Sequence, residues 1–223
     1  MIRFIFLFLS VLLPSKIKII LYSKFLGWEI DPTARIGKSL ILCDEVKIGK
    51  GARVGNLTVI KRSVALRIGE QGGLGSLNWV TGFPTSSDKH FCEEAGRQVS
   101  LIIQDHAAIT NRHLIDCTDS VSIGKYSTFA GFRSQILTHS IDLKESRQAC
   151  KQVIIGDYCF VGTNCILLPG ARIPNYSIVA AGSVVHKAMT EESCLYGGVP
   201  VKKIKKISTE EYKYMNRKVG FIN

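Results

Sequence analysis

Five histidines carry most of what this chain can do by proton transfer: His90, His106, His113, His139 and His186. Imidazole titrates near neutral pH, so a well-placed ring serves as a general base toward a hydroxyl group. His139 has the most informative surroundings. In the run QILTHSID it closes an apolar stretch and opens a polar one that lasts to residue 152. Taken alone, such a histidine is more often structural than catalytic. Asp142, three residues on, orients the ring, contacts the group the ring acts on, or caps the loop. His90 sits in the polar run 86–98 and reads as a solvated loop residue. The seven cysteines include no Cys-x-x-Cys pair, which removes the usual zinc and redox arrangements. Cys150 has no base set beside it by spacing, so a nucleophilic cysteine has little support.

The elements that position these residues follow from a repeat. From Ile155 to Thr190 the chain reads IGDYCF, VGTNCI, LLPGAR, IPNYSI, VAAGSV, VHKAMT. Each block opens on an aliphatic residue, and five of the six carry a small residue at the fifth place. A period of six is neither helical nor that of a simple strand, and it predicts a parallel β-helix with three short faces per coil. The opening aliphatics should point inward, with the small fifth residues inward near the corners. Cys159 and Cys165 hold equivalent places on different faces and should not be bridged. The same frame starts at Ile30 (IDPTAR, IGKSLI), loosens over 60–85, and breaks at 86–98. It returns at Ile103, slips by two residues near Val121, and breaks again over 140–152. His113 falls on a fifth place, which suggests either a local bulge or a side chain aimed at a neighbouring copy. His106 should point outward.

The segments IGDYCFVGTNCILLPGARI, VAAGSVVHK and YGGVPVKKI, with THSID before them, resemble the hexapeptide-repeat acyltransferases, most closely the O-acetyltransferases of sugars and xenobiotics. The resemblance implies an all-β solenoid, a left-handed parallel β-helix, working as a homotrimer with acetyl-CoA as donor. His139 matches that family's general base. Gly162, Thr163, Ala180, Ala181 and Lys187 match its donor-binding positions, and Asn111 matches an asparagine that orients the acceptor. His186 stands where the family often has threonine, and Phe160 where it often has tryptophan. A three-histidine metal site of the family's carbonic anhydrases would need a His-x-x-x-x-His pair, which is missing, so no metal is expected. The implied reaction is acetyl transfer to a sugar hydroxyl of a cell-surface glycan or lipid-linked saccharide precursor. An N-acyltransferase acting on an amino-sugar nucleotide, and a non-catalytic β-helix scaffold, are the alternatives.

Charge is concentrated at the ends. Of the formal +11, residues 1–27 contribute +4 through Arg3, Lys16, Lys18 and Lys24 with no acid. Residues 202–223 contribute +5, from seven basic residues against Glu210 and Glu211. Two basic ends on a near-neutral body fit an anionic membrane surface better than nucleic acid. The apolar run 2–13, stopped by Pro14, is shorter than the ~20 residues a spanning helix needs. The next stretch, to Trp28, reads as an in-plane interfacial helix or as a cap over the first coil. Free cysteines used as small apolar filler fit a reducing, cytoplasmic setting, with peripheral association at the inner face of the membrane. The expected organisation is an N-terminal segment over 1–28, the β-helix over 29–200 with insertions near 86–98 and 140–152, and a basic tail over 201–223.

Overall fold

The structure, a computed structural model, describes residues 2–61, 64–86, 90–94 and 96–220. Residues 87–89 and 95 of the expected 86–98 loop lie outside the described residues. From Glu29 to Val185 the chain passes in rotation through three parallel sheets, forming a left-handed parallel β-helix. Among the described residues the first and third faces each hold seven strands and the second holds nine. In the regular part Ile155 lies opposite Ile173, Val161 opposite Val179 and Leu167 opposite Val185. Each pair is separated by three hexads, one per face.

The repeat explains this packing. Ile155, Val161 and Leu167 are at most 1% exposed, and so are the fifth-place residues Cys159, Cys165 and Ala171. Burying each large aliphatic contributes roughly 1.5–3 kcal/mol. At the corner between the first and second faces, Gln71, His106, Tyr126, Tyr158 and Tyr176 all adopt positive φ. That region is sparsely populated for residues other than glycine. The coils hold it because each of these N–H groups donates to a carbonyl one coil earlier, as Tyr158 does to Lys125 and Tyr176 to Asp157 (2.8 Å each). None of the seven cysteines forms a disulfide.

His113 departs from both expectations. It is neither a bulge nor aimed at a neighbour but 2% exposed inside the coil. Its Nε2 meets Thr110 Oγ1 at 3.0 Å, its Nδ1 accepts from Ser134 N, and its ring lies 4.8 Å from that of Phe129. Burial pushes its pKa down to about 4, so the ring is neutral at physiological pH. Thr58, Asn78 and Ser134 occupy the same inward column, and all of them hydrogen-bond backbone groups. This corner takes polar side chains along its length. His106 points outward, stacked 4.8 Å from Tyr126.

Two helices close the first coil: α1 (Ile2–Ser10) and α2 (Ser15–Leu26). Leu7, Ile19 and Tyr22 face the core, and Ser10 Oγ bonds the Tyr22 hydroxyl at 2.7 Å. Lys18 is also turned inward, its Nζ donating to Gly37 O at 2.5 Å. At the other end the basic segment is built into the fold. Lys202–Lys206 pairs antiparallel with Cys194–Gly197. After it, a short 3₁₀ turn brings the Tyr214 hydroxyl onto Thr128 Oγ1 and Cys159 O.

Candidate active site

Both insertions leave the solenoid at one corner, where the third face returns to the first. The later one is a hairpin, with His139–Asp142 antiparallel to Arg147–Cys150. His139 is its first residue and lies against the coil wall. Its Nδ1 is 2.7 Å from Asp116 Oδ2, and Asp116 is 5% exposed at the end of the third-face strand Leu114–Asp116.

Asp116 is heavily hydrogen-bonded. Oδ2 also accepts from Thr138 N (2.9 Å) and Oγ1 (2.8 Å), while Oδ1 accepts from Thr118 N (3.2 Å) and Oγ1 (2.7 Å). Burial alone would push this carboxyl up. Hydrogen bonds from His139, Thr118 and Thr138, together with the imidazole's charge, outweigh it and hold the pKa at about 2. The hydrogen bond that His139 donates to Asp116 raises the pKa of the ring above its usual value, against the opposing effect of burial. An ionised Asp116 requires the proton on Nδ1, which leaves the Nε2 lone pair to accept one. Among the described residues no side chain is bonded to Nε2.

Asp142 does not orient the ring. It lies at the far end of the hairpin opposite Arg147, and its Oδ1 accepts from Lys144 N and Glu145 N. It caps the turn. The carboxylate that does face His139 carried a signal in the sequence. The two-residue slip near Val121 falls within residues 116–120, where the lengthened corner lets Thr118 fold back onto Asp116.

The earlier insertion packs on the hairpin. The Phe91 ring, 7% exposed, meets His139 edge-on at 5.9 Å. Arg97 lies over Phe91 at 5.0 Å and donates to the carbonyls of Phe83, Pro84 and Thr118. Arg147 pairs with Glu93 at 3.0 Å, and His90 Nδ1 meets Gln148 Oε1 at 2.9 Å. So His90, expected to be solvated, joins the two insertions. The two breaks, far apart in sequence, therefore make one wall around the imidazole.

The residues matched to donor binding lie elsewhere on the coil. Gly162, Thr163, Ala180 and Ala181 stack in successive coils at the corner between the second and third faces. A Cβ on Gly162 would fall 2.7 Å from Ala181 N, so glycine alone permits that stacking. Thr163 Oγ1 donates to Phe132 O at 2.8 Å. Gly182, at φ +73°, borders open space. This edge is bare backbone and methyl groups, which suits a narrow extended arm bonded through its amides. Lys187 is exposed at the His139 corner, with the third face between it and Gly162. One chain does not bring the two groups together. Asn111 shares the Gly162 corner, and its Oδ1 accepts from Ser76 N at 2.6 Å. Asn56, Asp105, Asp157 and Asn175 do the same for the coil before each, so Asn111 belongs to a coil-stacking ladder. Among the described residues no cluster of three or more His, Cys, Asp or Glu is arranged to hold a metal ion.

Residues 152–187 match the bacterial transferase hexapeptide family (six repeats). That match covers 36 of the 223 residues of the chain. It is 34% identical over 84 residues to YvoF of Bacillus subtilis (strain 168), provisionally named an acetyltransferase, covering 38% of this chain and 46% of that one. It is 32% identical over 107 residues to a galactoside O-acetyltransferase of Lactococcus lactis subsp. lactis (strain IL1403), covering 46% and 51%. The chain thus spans about half the length of the curated relatives it matches. In fold it resembles the hexapeptide-repeat-containing acetyltransferase VCA0836 of Vibrio cholerae, with a TM-score of 0.51 and 22% identity over 64% of this chain and 74% of that one.

Proposed function

We propose that this protein is an acetyl-CoA-dependent O-acetyltransferase acting on a sugar hydroxyl, of a cell-surface glycan or a lipid-linked saccharide precursor. The observation that carries the reading is the His139–Asp116 pair, walled by Phe91 on one side of an open Nε2. His139 Nε2 takes the proton of the acceptor hydroxyl as its oxygen bonds to the thioester carbonyl carbon. Asp116 stabilises the resulting imidazolium. As the C–S bond breaks, the imidazolium returns its proton to the departing thiolate, leaving an acetyl ester and free coenzyme A. Gly162, Thr163, Ala180 and Ala181 would hold the pantetheine arm, and Lys187 the donor phosphates.

The separation of those residues from His139 supports a homotrimer in which a neighbour's corner completes each site. The outward residues Trp79, Leu114, Ile166 and Val184 along the third face, with Gln135 among them, give copies a largely apolar strip to pack against. The reading includes a cytoplasmic setting.

A screen of coenzyme A release from acetyl-CoA against sugar acceptors tests the reading, with His139→Ala as control. Turnover lost in the variant, with coenzyme A binding retained, supports it. Near-wild-type turnover in the variant overturns the mechanism. Weak dependence on His139 with an amino-sugar acceptor would favour N-acylation, since an amine can enter already neutral. No coenzyme A binding in a calorimetric titration would favour a scaffold.

A further inference from the structure

The two N-terminal helices are apolar on both sides. Their inner side caps the coil through Leu7, Ile19 and Tyr22. On their outer side and the turn between them, Ile2, Phe8, Leu9, Leu12, Ile20 and Phe25 are 63–84% exposed. Single exposed apolar residues are ordinary, but six large ones on two short helices and the turn between them mark an interaction surface. The patch runs into a cleft of about 390 Å³ between α1 and the coil, where Phe8, Leu9 and Leu12 face Leu40, Leu57 and Val59. Lys38 lies on that cleft, with Lys18 close enough for the two charges to repel. Lys16 and Lys24 are exposed on α2, and no acidic residue precedes Glu29.

We propose that the outer side of α1 and α2, with the cleft beside Lys38, is a docking surface for an anionic phospholipid bilayer. Acyl chains meet the exposed aliphatic and phenyl groups, and lipid phosphates meet Lys16, Lys24 and Lys38. The chemistry is that of an in-plane amphipathic pair, and no helix among the described residues is long and apolar enough to cross a membrane. A second copy fits less well, because a symmetric pairing would set Lys16 and Lys24 against their own counterparts. His139 leaves the fifth coil, four coil spacings or about 20 Å along the axis from the first. Docking of this kind brings the open imidazole within reach of a saccharide carried on a lipid. That last step rests on the acyl-transfer reading, whereas the docking does not.

The test is flotation of the full chain with vesicles of phosphatidylcholine alone and of phosphatidylcholine with phosphatidylglycerol. Wild type should float with the anionic vesicles, at least tenfold less with the neutral ones, and less again as salt rises. The Phe8→Asp/Leu12→Asp/Phe25→Asp variant should lose flotation tenfold or more while keeping its melting temperature and oligomeric state. Lys16→Glu/Lys24→Glu should lose several-fold. Should the triple variant fail to fold, Leu12→Trp gives a separate reading: its emission should shift to the blue with anionic vesicles. Absence of both flotation and that shift in protein of native melting temperature overturns the proposal. So does a folded triple variant that floats as well as wild type, or one whose only change is dissociation of the oligomer. His139→Ala should float normally, so failure of the catalytic reading and failure of the docking are told apart.

Discussion

The coils from Val153 to Val185 and the corner at His139 are built on opposite principles. In the coils every rung repeats the one before, with the same inward aliphatic, small corner residue and backbone bond to the previous turn. Order there is local and redundant. At the corner nothing repeats. An aspartate from one coil, a threonine from the next, a histidine opening a hairpin and a phenylalanine from an earlier insertion meet once. Under the proposed reading the regular part supplies stability and the interrupted part the chemistry, so substitutions in the two should separate these properties.

The largest effect is expected at His139. His139→Ala removes the proton acceptor and should lower kcat/KM by about 10²–10⁴-fold, the usual contribution of a general base. Its melting temperature should stay close to wild type, because the hairpin and the coil keep their backbone pairing. The opposite result is expected in the coil. Leu167, 0% exposed, cannot be cut back without a cavity, and Leu167→Ala should cost about 2–5 kcal/mol of stability in denaturant unfolding. Specific activity of the folded fraction should change little. If Leu167→Ala lost activity while folded, or His139→Ala unfolded the protein, the division of labour would be wrong.

How far each region could be read from sequence follows from the same contrast. The fold was legible because every hexad restates it: Ile155, Val161 and Leu167 predict their own burial by spacing alone. His139 was legible as the residue at which the repeat stops. Its carboxylate was not, because Asp142 is near in sequence and Asp116 near in space, and only register across a coil distinguishes them. The slip after Asp116 was a visible irregularity whose meaning needed the corner to be seen. Phe91 and Arg97 lay in a stretch with no frame to place them. Asn111 was matched to the acceptor by resemblance alone, and in the structure its Oδ1 serves the ladder of backbone bonds that several other corner residues share.

Smaller effects should sharpen the account of the corner. Asp116→Asn keeps the shape but removes the charge that holds the proton on Nδ1. It should lower kcat/KM less than His139→Ala does, on the order of tenfold or more, which corresponds to about 1.4 kcal/mol or above. It should also move the pH profile. His139 must be neutral to act, and Asp116 raises its pKa, so wild-type kcat/KM should rise with pH through a value above that of an ordinary imidazole. Without that carboxylate the limb should shift to lower pH. Stability should follow the linked signs. The raised His139 favours the fold below its unfolded pKa, and that contribution fades as pH rises through the folded value. The depressed Asp116 favours the fold above the ordinary carboxylate range, and its contribution is lost as pH falls toward about 2. A limb that stays in place in Asp116→Asn would mean that another group sets it.

The smallest effect is expected from Arg97, which touches neither His139 nor Asp116 yet ties their surroundings together. Its guanidinium holds carbonyls from both ends of the join, Phe83 and Pro84 on the insertion and Thr118 on the corner, and it covers the far side of Phe91. Arg97→Ala should loosen Phe91 and lower kcat about three- to tenfold, equivalent to roughly 0.6–1.4 kcal/mol. The pH limb should stay in place, because the His139–Asp116 bond is untouched. Arg97→Lys should recover little of the loss, since a single ammonium cannot reach three carbonyls in the plane a guanidinium spans. A shifted limb would show that Arg97 acts on the charge of the pair, and an unchanged kcat would show that the first insertion covers the corner without positioning it.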